Sequence, residues 1–222
     1  MRTGLMLVII MLLADCTTRN PPPAETPGSA MSAAQPSETE TTSEGVIIDP
    51  PPPPPPPPKK VVYVIDLSAS MSDTVPYLKH ELKRSIRSLR PSDSFWVTFF
   101  SSGPTLDLPT GKHKMLPATV PNKEKAYDFI DSIVASGQAD PAEAIKKAFD
   151  CQPDRIYIVT DGDFEPGIAD LIVKLNPKKE VMVNTISFIH SKGEPLLRKI
   201  AEENEGTYHF VNEEDVKMLM TK

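Results

Sequence analysis

Val61 to Ile65 is an unbroken apolar run rich in β-branched residues. Continuous rather than alternating apolarity predicts a strand covered on both faces, as in a parallel sheet. Past Ser72 the period changes. Val75, Leu78, Leu82, Ile86 and Leu89 recur at spacings of three and four, which predicts a helix over 73–89. Ser72 or Asp73 is its expected cap, Pro76 suits its first turn, and Lys79, Lys83, Arg84 and Arg87 are its expected solvated face. Phe95 to Phe100 reads as a second strand, and short strand-like pieces around Gly111 predict a hairpin or an edge strand. A helix over 123–134 follows, with Ala126, Phe129, Ile130 and Ile133 on one face, then a shorter helix over 141–149 started by Asp140. The remainder alternates: strand 155–160, helix 167–175, strand 181–188, helix 195–204 and strand 207–211. Gly206 is expected at the left-handed position that closes the penultimate helix. Asn212 caps a final helix whose first turn is acidic, as the helix dipole prefers. Strands separated by helices of this length predict the α/β class: a three-layer, doubly wound, mostly parallel, Rossmann-like sheet with helices on both faces.

Before Lys59 this periodicity is missing. The chain holds 25 prolines, and most of the excess lies in that region. Residues 17–58 are Pro, Thr, Ser, Glu and Ala with few large apolar side chains, so they bury too little to offset the entropy of ordering and are read as a disordered linker. Pro50 to Pro58 is an unbroken proline run, expected to form a stiff polyproline II spacer. Residues 1–16 have the build of an export signal. Arg2 is followed by an apolar run from Leu5 to Ala14, shorter than the ~20 residues that a spanning helix needs. Leu12-Leu13-Ala14-Asp15-Cys16 resembles a bacterial lipobox, in which the cysteine carries the lipid. Asp15 stands where that motif has Gly, Ala or Ser, so both a lipid anchor on Cys16 and an ordinary signal segment stay open. Either places the protein outside the cytoplasm, held at the membrane of the cell envelope, with 59–222 as its folded domain.

Charge and cysteine content narrow the picture. The net charge is −6, with several of the acids in the linker, and no basic surface suited to nucleic acid stands out. There are two cysteines, Cys16 and Cys151, which excludes a disulfide framework. Cys151 reads as a buried or half-buried thiol at a helix end.

The candidate chemistry lies where the strands end. In a doubly wound sheet ligands bind beyond the carboxyl ends of the strands. Asp66 ends the first strand in Asp66-Leu67-Ser68-Ala69-Ser70, and Asp161 ends a later one in Thr160-Asp161-Gly162. Both strands run the same way, so both carboxylates are expected at one sheet edge, with the hydroxyls of Ser68 and Ser70 presented to one point. Such an all-oxygen set suits Mg²⁺, Mn²⁺ or Ca²⁺ and lacks the His or Cys that Zn²⁺ prefers. Asp163 and Glu165 read as solvated loop acids, and His190 as structural or exposed.

A hydrophobic strand ending in Asp-x-Ser-x-Ser-Met, with a later strand ending in Thr-Asp-Gly, resembles the von Willebrand factor type A (vWA) family. The likeness runs from about Lys60 to the C-terminus. It implies the vWA fold and a metal-ion-dependent adhesion site with Ser68 and Ser70 as direct ligands and Asp66 and Asp161 acting directly or through water. It also implies a Thr from a third loop and a carboxylate from a protein partner. Here the third loop reads Gly137-Gln138-Ala139-Asp140-Pro141, which puts Ala139 in the threonine's place. A methyl group cannot coordinate a cation, so the resemblance implies a partly degenerate site, with water, Ser136 or Asp140 as possible compensation. Asp140 also reads as a helix cap.

The implied function is non-enzymatic: recognition at the envelope of a protein ligand that contributes an acidic residue to the bound metal ion. A structural vWA module without metal is the alternative that Ala139 keeps open. A haloacid-dehalogenase-like phosphohydrolase would need a second Asp where Ser68 stands. Glycine-rich phosphate loops and a Gly-x-Ser-x-Gly elbow are absent from the sequence.

Overall fold

The computed structural model describes residues 55–109 and 114–215. Residues 1–54, where the signal segment, Cys16 and most of the linker are expected, residues 110–113, where a hairpin or edge strand is expected, and residues 216–222 lie outside the described residues. Residues 55–59 have neither helix nor strand.

The folded domain contains β1 (Lys60–Asp66), α1 (Val75–Ser88), β2 (Ser94–Phe100), β3 (Leu106–Leu108), β4 (Leu116–Pro117), α2 (Val120–Ser132) and α3 (Ala142–Asp150). They are followed by β5 (Arg155–Thr160), α4 (Gly167–Leu175), β6 (Met182–Phe188), α5 (Glu194–Glu203) and β7 (Tyr208–Val211). The sheet order is β3-β2-β1-β5-β6-β7. β2, β1, β5, β6 and β7 are parallel, and β3 and β4 pair antiparallel to β2. This is the α/β class and mostly parallel sheet expected from the periodicity, with the region around Gly111 flanked by short antiparallel strands.

Because neighbouring residues of a strand face opposite sides, the apolar runs feed two cores. Val61, Tyr63 and Ile65 join Phe95, Val97 and Phe99 beneath α1 and α2. Val62, Val64 and Trp96 join Ile156, Ile158 and Val183 beneath α3, α4 and α5. The central β1 is buried from Val61 to Asp66, which is why it shows no polar alternation. Its Tyr63 stacks on Tyr157 of β5 and its hydroxyl lies 2.7 Å from that of Ser85.

Several local expectations change. A 3-10 turn at Ala69–Met71 precedes α1, so Ser72 is already helical and cannot adopt the extended backbone of a cap. Its hydroxyl donates to the carbonyl of Ala69, and that of Thr74 donates to Met71. Lys79 is not merely solvated. Its Nζ donates to the carbonyls of Asp131 and Ile133 at the end of α2, and Lys83 pairs with Asp131. Lys123 of α2 returns the arrangement by donating to Arg87 and Leu89 at the end of α1. Each helix thus supplies a cation for the orphan carbonyls of the other. At the end of α5 the left-handed residue is Glu205, with φ 57°, not Gly206. Gly206 is required by proximity, because a Cβ there would lie 1.9 Å from the carbonyl oxygen of Val183. Asn212 does cap the final helix, exchanging hydrogen bonds with Asp215.

The end of the sheet where the chain enters β1 is tied by Asp93. Its buried carboxylate accepts from the backbone N–H of Lys59 and of Arg90 and from the Arg90 guanidinium. Burial alone would raise its pKa, but the Arg90 side chain and the two backbone donors outweigh that and hold it below the usual carboxylate value. A depressed folded-state pKa stabilises above the unfolded value and is lost as pH falls through the folded one. Asp93→Asn is therefore expected to cost about 1–3 kcal/mol near neutral pH. In urea denaturation the gap between variant and wild type should narrow as pH falls below ~4, and a gap that is unchanged there would contradict the assignment.

Candidate metal centre at the carboxyl ends of β1 and β5

The chain leaves β1 towards α1 on one face of the sheet and leaves β5 towards α4 on the other. β1 and β5 are neighbours, so their loops diverge and a crevice opens between them, the switch point of a doubly wound sheet. Asp66, the last residue of β1, and Asp161, the residue after β5, both lie there, and both are buried.

Asp66 is fully buried. Its Oδ1 accepts from the N–H of Ser68 at 2.7 Å, and its Oδ2 accepts from the hydroxyl of Thr160 at 2.6 Å. Burial, above all, pushes its pKa above the usual carboxylate range; hydrogen bonds from Thr160 and Ser68 oppose this, and the charge of Asp161 adds to it. A divalent cation would invert that balance, since it stabilises the ionised form. The hydroxyls of Ser68 and Ser70 lie 3.0 Å apart, as the spacing in the turn predicted. Asp161 Oδ1 accepts from the N–H of Asp163.

The turn is braced by the third loop. The N–H of Ser136 donates to Leu67 and that of Ala69 to Gly137. Gly137 has φ 77°, and a Cβ there would lie 2.0 Å from Ser102 Oγ. The same Ser102 oxygen accepts from the N–H of Gln138. On the other side, Gly162 has φ 80° and packs on Gly193: a Cβ on Gly162 would approach Gly193 Cα to 2.7 Å.

Above these residues is an open cleft of about 470 Å³. Ser68, Ser70 and Ala139 line it, together with Asp163, Phe164 and Glu165. The structure thus brings Asp66, Ser68, Ser70 and Asp161 to one edge and puts Ala139 at the same cleft. Asp140 does not line it; its Oδ1 accepts from the N–H of Ala142 at 3.1 Å, the capping contact at the start of α3. Ser136 is also off the cleft lining. Asp163 and Glu165, read from sequence as loop acids, are cleft residues. Asp163 also pairs with Lys192 at 3.2 Å. The sequence reading has Thr160 only as part of the Thr-Asp-Gly motif, without a role, and does not single out Ser102 or Gly193. Thr160 alone carried a signal, a polar residue closing an apolar strand beside an aspartate. His190 is exposed. The donor set of two carboxylates and two hydroxyls is the all-oxygen chemistry that suits a hard divalent cation. Among the described residues no group of three or more His, Cys, Asp or Glu gathers as a metal site.

A family model described as von Willebrand factor type A domain matches residues 59–210. The uncharacterized protein YfbK of Escherichia coli (strain K12) is 25% identical over 170 residues, which are 68% of this chain and 28% of YfbK. The chain therefore spans less than a third of the length of that relative. Among solved structures, a von Willebrand factor type A protein from Catenulispora acidiphila aligns with a TM-score of 0.60 at 20% identity, over 75% of this chain and 42% of that one. An aerotolerance-related membrane protein from Bacteroides fragilis NCTC 9343 aligns with a TM-score of 0.55 at 19% identity, over 73% and 96% of the two chains. At these identities the structures show a shared fold.

The glycine contact beneath the cleft makes a direct prediction. Gly162→Ala combines a positive φ with a backbone collision and is expected to cost about 1–3 kcal/mol in chemical denaturation. Gly167→Ala, where a Cβ meets nothing within 4 Å, is the comparison. It is expected to be neutral or stabilising by up to about 1 kcal/mol. Equal effects of the two would contradict the packing described.

Proposed function

The chain belongs to the von Willebrand factor type A domain family, and from that premise we propose that it is a non-enzymatic binding module that recognises a protein ligand through a divalent cation. The observation that supports the reading is the placement of Asp66, Asp161, Ser68 and Ser70 at the switch point, with both serines lining an open cleft above it. Ser68 and Ser70 would hold Mg²⁺, or Mn²⁺ or Ca²⁺, directly, and Asp66 and Asp161 would hold it directly or through water. When bound, the ion supplies positive charge that attracts an acidic side chain of the partner. The chain's own residues do the positioning. Thr160 and the N–H of Ser68 fix the Asp66 carboxylate, and the third loop fixes the turn that carries both serines.

An enzymatic reading finds less support. Ser68 stands where a haloacid-dehalogenase-like phosphohydrolase would need its second Asp, and the hydroxyls of Ser68 and Ser70 face each other rather than a general base. A structural vWA module without metal is favoured by one specific feature, the methyl group of Ala139 at the cleft. The proposed setting is the cell envelope, with the protein held at the membrane by a lipid on Cys16 or by its signal segment. The membrane description of the Bacteroides fragilis protein points the same way. Among the described residues no helix is long and apolar enough to cross a membrane.

Calorimetric titration with Mg²⁺ and Mn²⁺ tests the reading. Wild type is expected to bind at one site, and Asp66→Ala or Ser70→Ala to weaken binding by at least about tenfold. A wild type without binding, in which Ala139→Thr creates it, would replace the metal bridge with the structural reading. Phosphatase activity that disappears in Asp66→Asn would instead establish the enzyme.

A further inference from the structure

The metal site lacks one protein oxygen because Ala139 stands at the cleft where the third loop would supply a hydroxyl. The residues near in sequence do not fill the gap. Asp140 is turned to the N–H of Ala142, as the cap of the next helix. Acids do reach the cleft from the opposite loop, between β5 and α4: Asp163 and Glu165. They differ in what already holds them. Asp163 pairs with Lys192 through Oδ1, and its N–H is bound by Asp161. Glu165 has a fixed backbone, because its carbonyl accepts from the N–H of Ile168 at the start of α4. Its side chain is exposed and has no ion pair or hydrogen bond among the described residues. It is an uncommitted carboxylate on a fixed backbone, lining the same cleft as Ser68, Ser70 and Ala139.

We propose that Glu165 supplies the metal-binding oxygen that Ala139 cannot, so that the site is completed from the β5–α4 loop instead of the third loop. The inference rests on the metal-binding reading of this cleft and names a ligand for it. It also sets the preferred ion. Exchanging a neutral hydroxyl for a carboxylate would add a third anionic donor; three acids do not gather at the cleft in the structure described, so the exposed Glu165 side chain would have to swing in as the ion binds. Ca²⁺ takes six to eight oxygens in adaptable geometry, whereas Mg²⁺ demands a near-ideal octahedron and keeps several waters. A long glutamate reaching in from a loop matches the first demand better than the second.

The test is calorimetric titration of the full chain with Ca²⁺ and with Mg²⁺. The variants are Glu165→Gln, Asp140→Asn and the double variant Glu165→Gln/Ala139→Thr, with thermal melts to show that each folds. Glu165→Gln is expected to weaken Ca²⁺ binding by at least about tenfold and Mg²⁺ binding by less, and Asp140→Asn to change neither. In the double variant the restored hydroxyl is expected to recover Mg²⁺ binding. Wild-type binding that is unchanged in Glu165→Gln would overturn the inference and leave the metal reading standing. A loss in Asp140→Asn in its place would assign the role to the third loop after all. No binding of either ion by wild type would overturn both.

Discussion

Asp66 holds a carboxylate out of water at the end of the central strand, with one oxygen on the hydroxyl of Thr160 and the other on the N–H of Ser68. A buried carboxylate is expensive unless it is paired or hydrogen-bonded. Here its bonds reach two different elements, the end of β5 and the turn that leaves β1. They therefore fix where Asp161 emerges and how Ser68 and Ser70 are presented. The parallel pairing of β1 with β5 makes this possible, because it sets both strand ends side by side with their loops leaving on opposite faces. The remaining strands and helices supply the apolar bulk that holds that pairing, through one core on each side of the sheet.

The surrounding loops come close together at glycines. Gly162 and Gly193 meet backbone to backbone where neither tolerates a Cβ, whereas Gly137 makes room for the side chain of Ser102. Beyond Gly193, the end of β6 is itself in an unusual conformation. Ile189 has φ 63°, with the N–H of His190 turned back to the carbonyl of Phe188. A β-branched residue there is disfavoured, and the contact from the Ile189 N–H to Val211 helps to hold it. The floor of the cleft is thus set by backbone geometry. Its rim, with Asp163, Glu165 and Lys192, is carried by exposed side chains.

What was legible in the sequence follows from this division. Val61–Ile65, Phe95–Phe100 and Ile156–Thr160 read as strands because burial on both faces leaves an unbroken apolar signal, and the amphipathic helices read by period. Asp66, Ser68, Ser70 and Asp161 read because they fall at strand ends, where chain direction alone predicts convergence. Lys79 and Lys123 did not read, because capping the end of another helix depends on how the helices pack. Gly206 reads as the left-handed residue that closes a helix, because a glycine forced by a neighbouring strand looks the same in sequence as one forced by its own φ. Asp163 and Glu165 read as solvated loop acids and are exposed; that they also line the cleft depends on how the loop after β5 folds, which the sequence pattern does not carry. Ala139 is legible as a departure from the family motif, and the structure places it at the cleft.

The central claim is that the edge organised by Asp66 receives a divalent cation. It is tested most directly by backbone NMR of the isotope-labelled protein during addition of Mn²⁺, whose paramagnetism broadens nearby amide signals. The account predicts that the amides of Ser68 to Ser70, Gly137 to Ala139 and Asp161 to Glu165 broaden first and together, while those of Asp93 and Asp154 at the opposite end of the sheet stay sharp. Broadening scattered over the surface acids, or absent from the Ser68–Ser70 turn, would contradict it.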